Sequence, residues 1–190
     1  MGVKILHISD VHGNRYYIGS IGGVIKDVDV VVVSGDFEDP EILDVLSNYS
    51  RPVYAVMGNM DPYGIRSRVQ KYLVEGRIIP IGLFYLAGYP INMEEVKDLG
   101  PRLILISHYP PYGTNVDKAW NGSHIGSKSV RRFVENVRPL VVLCGHVHES
   151  RGVDRLGNTV IVNPGPLING YYALVNINDD GTVNAELSKL

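Results

Sequence analysis

The chain has 190 residues, 45% hydrophobic and 20% charged, with a formal net charge of -2 at pH 7. That length suits one domain, and without a broad cationic field a long nucleic acid is not the expected partner. No apolar run reaches the roughly 18 residues of a membrane span, no signal-peptide pattern opens the chain, and the single cysteine, Cys144, excludes an intrachain disulfide; a soluble, cytoplasmic protein is the expectation.

Val3–Ile8 is an apolar run ended by Ser9-Asp10 and reads as a buried strand. Over 16–26, apolar residues at 17, 18, 21, 24 and 25 follow helical spacing. A β-branched run over 29–33 predicts a second buried strand, ended by Ser34-Gly35-Asp36. Residues 40–49 suit a helix, with Asp39 as N-cap and Pro40 at its first position. A strand over 52–57 ends in Gly58-Asn59, a helix follows around 65–73, and 78–86 is extended with a hairpin or bend at Gly82. Residues 102–106 and 140–144 are further buried strands, with a helix over about 128–136 between them. The tail reads as short strands over 152–162, 171–177 and 182–187, parted by Gly-Asn, Pro-Gly-Pro and Asp-Asp-Gly turns. Alternating strands and helices followed by a β-rich end imply an α/β fold: a two-sheet β-sandwich flanked by helices, one domain over 1–190.

Five clusters of metal-ligand residue types stand at the expected strand ends. They are Asp10-Val11-His12, Gly35-Asp36, Gly58-Asn59-Met60-Asp61, Ser107-His108 and Gly145-His146-Val147-His148. Residues two apart leave a strand end on one side, where a carboxylate and an imidazole can grip one cation. Each cluster alone has an ordinary reading, with Asp36 and Asn59 as turn formers and His108 as a hydrogen-bonded structural residue. Together they fall where α/β folds place their ligands, and they hold four of the six histidines.

In this order, the clusters resemble the signature of the calcineurin-like metallophosphoesterases. The resemblance runs from Lys4 to about Pro166, and includes Pro-Pro-Tyr-Gly-Thr at 110–114, His-Ile-Gly-Ser at 124–127 and Asn163-Pro164-Gly165. It implies a β-sandwich flanked by helices with two metals at the strand ends. It assigns Asp10, His12, Asp36 and His148 to one metal, with Asp36 bridging to a second held by Asn59, His108 and His146. Such an N/O set suits Mn²⁺ first, with Fe, Zn²⁺ or Ni²⁺ as alternatives, rather than Ca²⁺. Two cations roughly 3.5–4 Å apart lower the pKa of a shared water and hold phosphoryl oxygens for in-line attack. The implied activity is therefore hydrolysis of a small organic phosphoester by a metal-bridging hydroxide, in a protein free to form homo-oligomers.

One position departs from the family pattern. Its third motif commonly continues Gly-Asn-His, and the His stabilises the transition state or protonates the leaving oxygen; here that position is Met60. General acid help is worth about 10²–10⁴-fold, so acidic leaving groups are expected to suffer least and phosphodiesters are favoured over monoesters. His124 is the candidate substitute donor or phosphate contact, against its reading as a surface loop residue. His7 and Cys144 read as core, Arg66, Arg68 and Lys71 as a solvated helix face, and Trp120 and Tyr112 as base-stacking or loop-stiffening residues. Two alternatives remain: an interaction scaffold on the same fold, like the retromer subunit that resembles this family, or a nuclease or protein phosphatase of the superfamily.

Overall fold

The computed structural model describes residues 2–190. Sheet A contains β1 (Val3–Ile8), β2 (Val30–Val33), β3 (Val53–Ala55), β10 (Tyr171–Ile177) and β11 (Val183–Lys189), in the order β11-β10-β1-β2-β3. Sheet B contains β4 (Ile78–Ile81), β5 (Phe84–Gly88), β6 (Leu103–Ile106), β7 (Val141–Leu143), β8 (Gly152–Leu156) and β9 (Thr159–Asn163), ordered β4-β5-β6-β7-β9-β8. Strands β1, β2 and β3 pair parallel, with β3 at the edge of sheet A, as do β5, β6, β7 and β9; β10, β11, β4 and β8 add antiparallel.

The unbroken apolar runs are explained by burial on both faces. Along β2, Val30 and Val32 enter the core between the sheets, while Val31 and Val33 face the helices covering sheet A. In β6, Ile104 and Ile106 point inward and Leu103 and Leu105 face the helical layer on sheet B. Helices α1 (Tyr16–Ser20), α2 (Gly22–Ile25), α3 (Pro40–Ser47) and α4 (Arg66–Val69) lie on sheet A's side; α5 (Met93–Val96) and α6 (Lys128–Val137) pack on sheet B. The result is the expected two-sheet sandwich between helical layers.

The helices are shorter than their periodicity predicts. Residues 16–26 form two short helices meeting at Ile21, and the helix expected over 65–73 ends at Val69, because Leu73 leaves it to bridge Ala55 beside β3. Asp39 caps α3 as expected, accepting from Glu41 N–H, and Gly82 turns the β4–β5 hairpin. The short helix α5 and the 3₁₀ segment Lys97–Arg102 carried no clear periodic signal.

His7 is fully buried, with Nε2 2.9 Å from Ser34 Oγ, and its Nδ1 meets no hydrogen-bond partner among the described residues. Burial drives its pKa down from 6.5 to about 3, against a smaller upward pull from Asp10. The folded chain thus keeps this ring neutral where the unfolded chain protonates it. Its stabilising contribution is complete above pH 6.5 and is lost as pH falls toward 3. Urea titrations in chelator should show wild type losing about 2 kcal/mol more than His7→Gln between pH 7 and pH 5. Equal losses would mean that the ring is not held neutral.

Candidate metal centre

Five parallel strands end on one edge, and each delivers its cluster there. The loops after β1 and β2 are zipped by Asp10 N–H to Gly35 O (3.1 Å), His12 N–H to Asp36 O (2.9 Å) and Gly13 N–H to Phe37 O (3.1 Å). Those after β6 and β7 are joined by Gly145 N–H to His108 O (2.9 Å), and His146 N–H donates to Asp10 Oδ2 (3.1 Å) across the sheets. Among the described residues, seven besides glycine have positive φ. Five of them (Asp10, His12, Asp36, Glu38 and His146) lie in these loops. Left-handed backbone costs such residues roughly 1–2 kcal/mol each, and its concentration here marks a functional site.

Two motif glycines owe their identity to close approach. A Cβ on Gly58 would stand 2.0 Å from Asp36 Oδ1, and one on Gly145 would stand 1.8 Å from Ser9 Oγ and 2.5 Å from Asp10 Oδ2. A side chain at either position would push a carboxylate aside.

Asp10, His12 and His148 form the first group, with one ligand atom of each lying within 4.8 Å of the others. His148 Nε2 is 3.1 Å from Asp10 Oδ1 and 3.2 Å from His12 Nε2. His12 Nδ1–H donates to Glu38 Oε1 at 2.7 Å, which leaves a lone pair on Nε2. Burial pushes the Asp10 carboxyl up, but the His148 bond and His108's charge outweigh it and hold it below the ordinary value. The Asp10 bond raises His148.

A second group joins Asp10 to Asp36 and His108. His108 Nδ1–H donates to Ser34 O (2.8 Å), while Nε2 faces Asn59 Oδ1 at 2.9 Å and Asp36 Oδ2 at 3.3 Å. Asp36 Oδ1 accepts from Met60 N–H (2.8 Å). The His146 ring packs 5.1 Å from the His108 ring and 4.3 Å from Tyr109. Burial lowers His108, yet Asp36 and Asp10 raise it above its ordinary value; burial and His108 lower His146. The resemblance gives the shared role to Asp36, whereas Asp10 is the carboxylate standing in both groups as the side chains lie here.

The chemistry of this donor set fits cations. His12 Nε2 stands 3.2 Å from His148 Nε2, and His108 Nε2 faces two oxygens, Asn59 Oδ1 and Asp36 Oδ2, contacts that a shared proton or a metal ion would satisfy. Oxygen and imidazole donors without thiolate suit a borderline divalent ion.

All seven sequence-derived ligand candidates, Asp10, His12, Asp36, Asn59, His108, His146 and His148, therefore gather at one edge. His124 lies in the loop after β6: its Nδ1 is 2.6 Å from Asp117 Oδ1, and its ring lies 5.6 Å from Tyr112. Trp120 is 90% exposed on that loop, Cys144 is buried, and Arg66 and Lys71 pair with Glu75 and Asp44.

Glu38 and Ser34 stand outside the sequence-derived clusters, and Asp61 closes the third one without a role of its own. Asp61 accepts from the backbone N–H groups of Asp36, Gly58 and Glu38 at 2.9, 2.7 and 2.6 Å, stitching two motifs together. Burial pushes its carboxyl up to about 6, more than those three bonds pull it down. For Glu38 a signal existed, since ligand histidines usually donate their second N–H to a carboxylate. Glu38→Gln should weaken Mn²⁺ binding about 10–100-fold by calorimetry, with the apo melting temperature little changed. Unaltered affinity would show that Glu38 does not orient His12.

Comparison with known proteins supplies the family. Residues 3–180 match the model of the calcineurin-like phosphoesterase superfamily domain. The uncharacterized protein MJ1162 of Methanocaldococcus jannaschii is 32% identical, with 86% of this chain and 88% of that one covered. In fold alone, an archaeal protein described as a novel phosphodiesterase is similar at TM-score 0.64 and 16% identity, covering 97% and 99% of the two chains. Vps29 of Entamoeba histolytica is similar at TM-score 0.58 and 17% identity, covering 98% and 99%. With its two sheets, its helical layers and a carboxylate–histidine centre at the strand ends, the chain belongs to the calcineurin-like phosphoesterase superfamily.

Proposed function

We propose that the protein is a dinuclear metal-dependent hydrolase of a small organic phosphoester, with diesters favoured over monoesters. The observation that carries this reading is the convergence of Asp10, His12 and His148, and of Asp10, Asp36 and His108, each within 4.8 Å. In this reading Asp10, His12, Asp36 and His148 hold one ion, and Asp36, Asn59, His108 and His146 the other. Bound divalent cations supply an activated water and neutralise phosphoryl charge. The chain's own contribution is positional: Glu38 and Ser34 set the tautomers of His12 and His108, and Met60 N–H and Asp61 hold Asp36 and its loop.

The diester preference rests on Met60, a thioether that donates no proton. His124 is the proposed compensating donor, with Asp117 holding Nδ1 and leaving Nε2 free. Among the metals Mn²⁺ is favoured by the donor set, and the proposed setting is cytoplasmic, with no helix long and apolar enough to cross a membrane among the described residues.

Chelated protein reloaded with Mn²⁺ and assayed on bis(aryl) phosphate and on alkyl and aryl monoesters tests the reading. Activity should fall more than about 10³-fold on stripping and return on reloading. His124→Gln should slow alkyl esters about tenfold or more relative to aryl ones. Full turnover in chelator would sink the hydrolase reading. The fold likeness to Vps29 keeps a scaffold reading in view, and purified protein holding well under one metal per chain would favour it.

A further inference from the structure

Among the described residues, six of the nine exposed large apolar side chains stand on the three segments that follow β1, β3 and β6, Tyr16 at the start of α1 and Tyr63 in a 3₁₀ turn. The six are Tyr16, Met60, Tyr63, Tyr109, Trp120 and Ile125, and those segments carry Asp10, His12, Asn59 and His108. Exposed apolar surface concentrated at a polar centre marks a binding surface.

Two of these side chains are tied to the centre. The Tyr109 ring lies against His146, centroids 4.3 Å apart, and is still 37% exposed. Trp120 is 90% exposed at the tip of a hairpin whose backbone N–H donates to Glu149 Oε1 (2.9 Å), the residue after His148. That hairpin is not a loose loop. Lys118 N–H donates to Ser150 Oγ (3.0 Å), Ile125 N–H to Asp117 O (2.9 Å) and Ala119 N–H to Ser123 O (2.9 Å). The fully buried Asp117 carboxylate accepts from the N–H groups of Gly113, Thr114 and Gly126, at 2.9, 3.0 and 3.2 Å. These bonds fix the backbone that carries Trp120 before any ligand arrives, so only the indole's own rotamers are left to order.

Two arginines along the same segments are engaged, Arg15 by Asp39 and Glu41 and Arg66 by Glu75. What Tyr109 and Trp120 add to this rim is flat apolar surface. We propose that Tyr109 and Trp120 form a subsite for a planar apolar group, an aryl or heteroaryl ring carried by the phosphoester. The proposal rests on the hydrolase reading above and narrows its substrate class.

Trp120 is the only tryptophan, so its emission reports directly on the subsite. Mn²⁺-loaded protein is titrated with phenylphosphonate and with methylphosphonate, which share a head group and differ in the ring. Phenylphosphonate should change Trp120 emission saturably and bind about tenfold or more tighter by calorimetry. Tyr109→Ala and Trp120→Ala should each erode that preference, while Tyr109→Phe and Trp120→Phe keep it. Equal binding of the two phosphonates, or a phenyl preference that survives both alanine variants, would overturn the subsite and leave the metal centre standing. Binding of neither would overturn the subsite together with the phosphoesterase reading.

Discussion

Asp36→Asn should cut phosphoester hydrolysis by at least about 10³-fold while leaving the fold intact. The carboxylate is 2% exposed, with Oδ1 held by Met60 N–H and Oδ2 3.3 Å from His108 Nε2. An asparagine keeps the first contact, because its amide oxygen still accepts from Met60. It also tolerates the left-handed backbone at φ 54° at least as well as aspartate. What it loses is the negative charge that a pair of cations needs. Removing a buried charge relieves desolvation but also takes away the partner of His108, which can release its proton in response, so the metal-free melting temperature should change little. Turnover of a bis(aryl) phosphate, metal per chain and melting with and without Mn²⁺ check the three parts together. Parental turnover with full metal content would remove Asp36 from the centre.

The second large effect is expected from a single methyl group at Gly145. An added Cβ would lie 1.8 Å from Ser9 Oγ and 2.5 Å from Asp10 Oδ2. Ser9 is fully buried, so it has no room to yield, and the strain passes to Asp10, which stands in both ligand groups. Gly145→Ala should lose about 1–3 kcal/mol by urea titration and Mn²⁺ affinity by about 10²-fold or more. Gly19→Ala is the control: nothing lies within 4 Å, φ is ordinary and the site is helical, so stability should hold or gain about 0.5–1 kcal/mol. If the two variants bind metal equally well, the close packing at Gly145 does not position Asp10.

The site was legible because its donors are local to strand ends. An apolar run such as Leu140-Val141-Val142-Leu143 followed by Gly145-His146-Val147-His148 announces both a buried strand and what it presents. The clusters after β1, β2, β3 and β6 repeat that grammar. Helix extents were less legible. The periodicity over 16–26 and 65–73 is real, but the first is divided at Ile21, just ahead of the poor helix formers Gly22 and Gly23, and pairing with Ala55 draws Leu73 away from the second. The supporting residues were the least legible. Glu38 and Asp117 are ordinary loop carboxylates in the sequence, and Asp61 closes the third cluster without a role of its own; only their hydrogen bonds to His12, to the hairpin and to three backbone N–H groups give them one.

The amino-acid sequence by itself determined the layered α/β class, the order of strands and the seven candidate ligands, because hydrophobic periodicity and motif spacing are local properties. Tertiary structure alone decided which donors meet. Asp10 and His148 are 138 residues apart in the chain, and their 3.1 Å contact exists only because β1 and β7 end on the same edge of two packed sheets. It also decided that Gly58 and Gly145 have no space for a side chain, and that Tyr109 lies on His146 while Trp120 stands in solvent beside Glu149. Distances across a fold follow from packing, and no spacing along the chain encodes them.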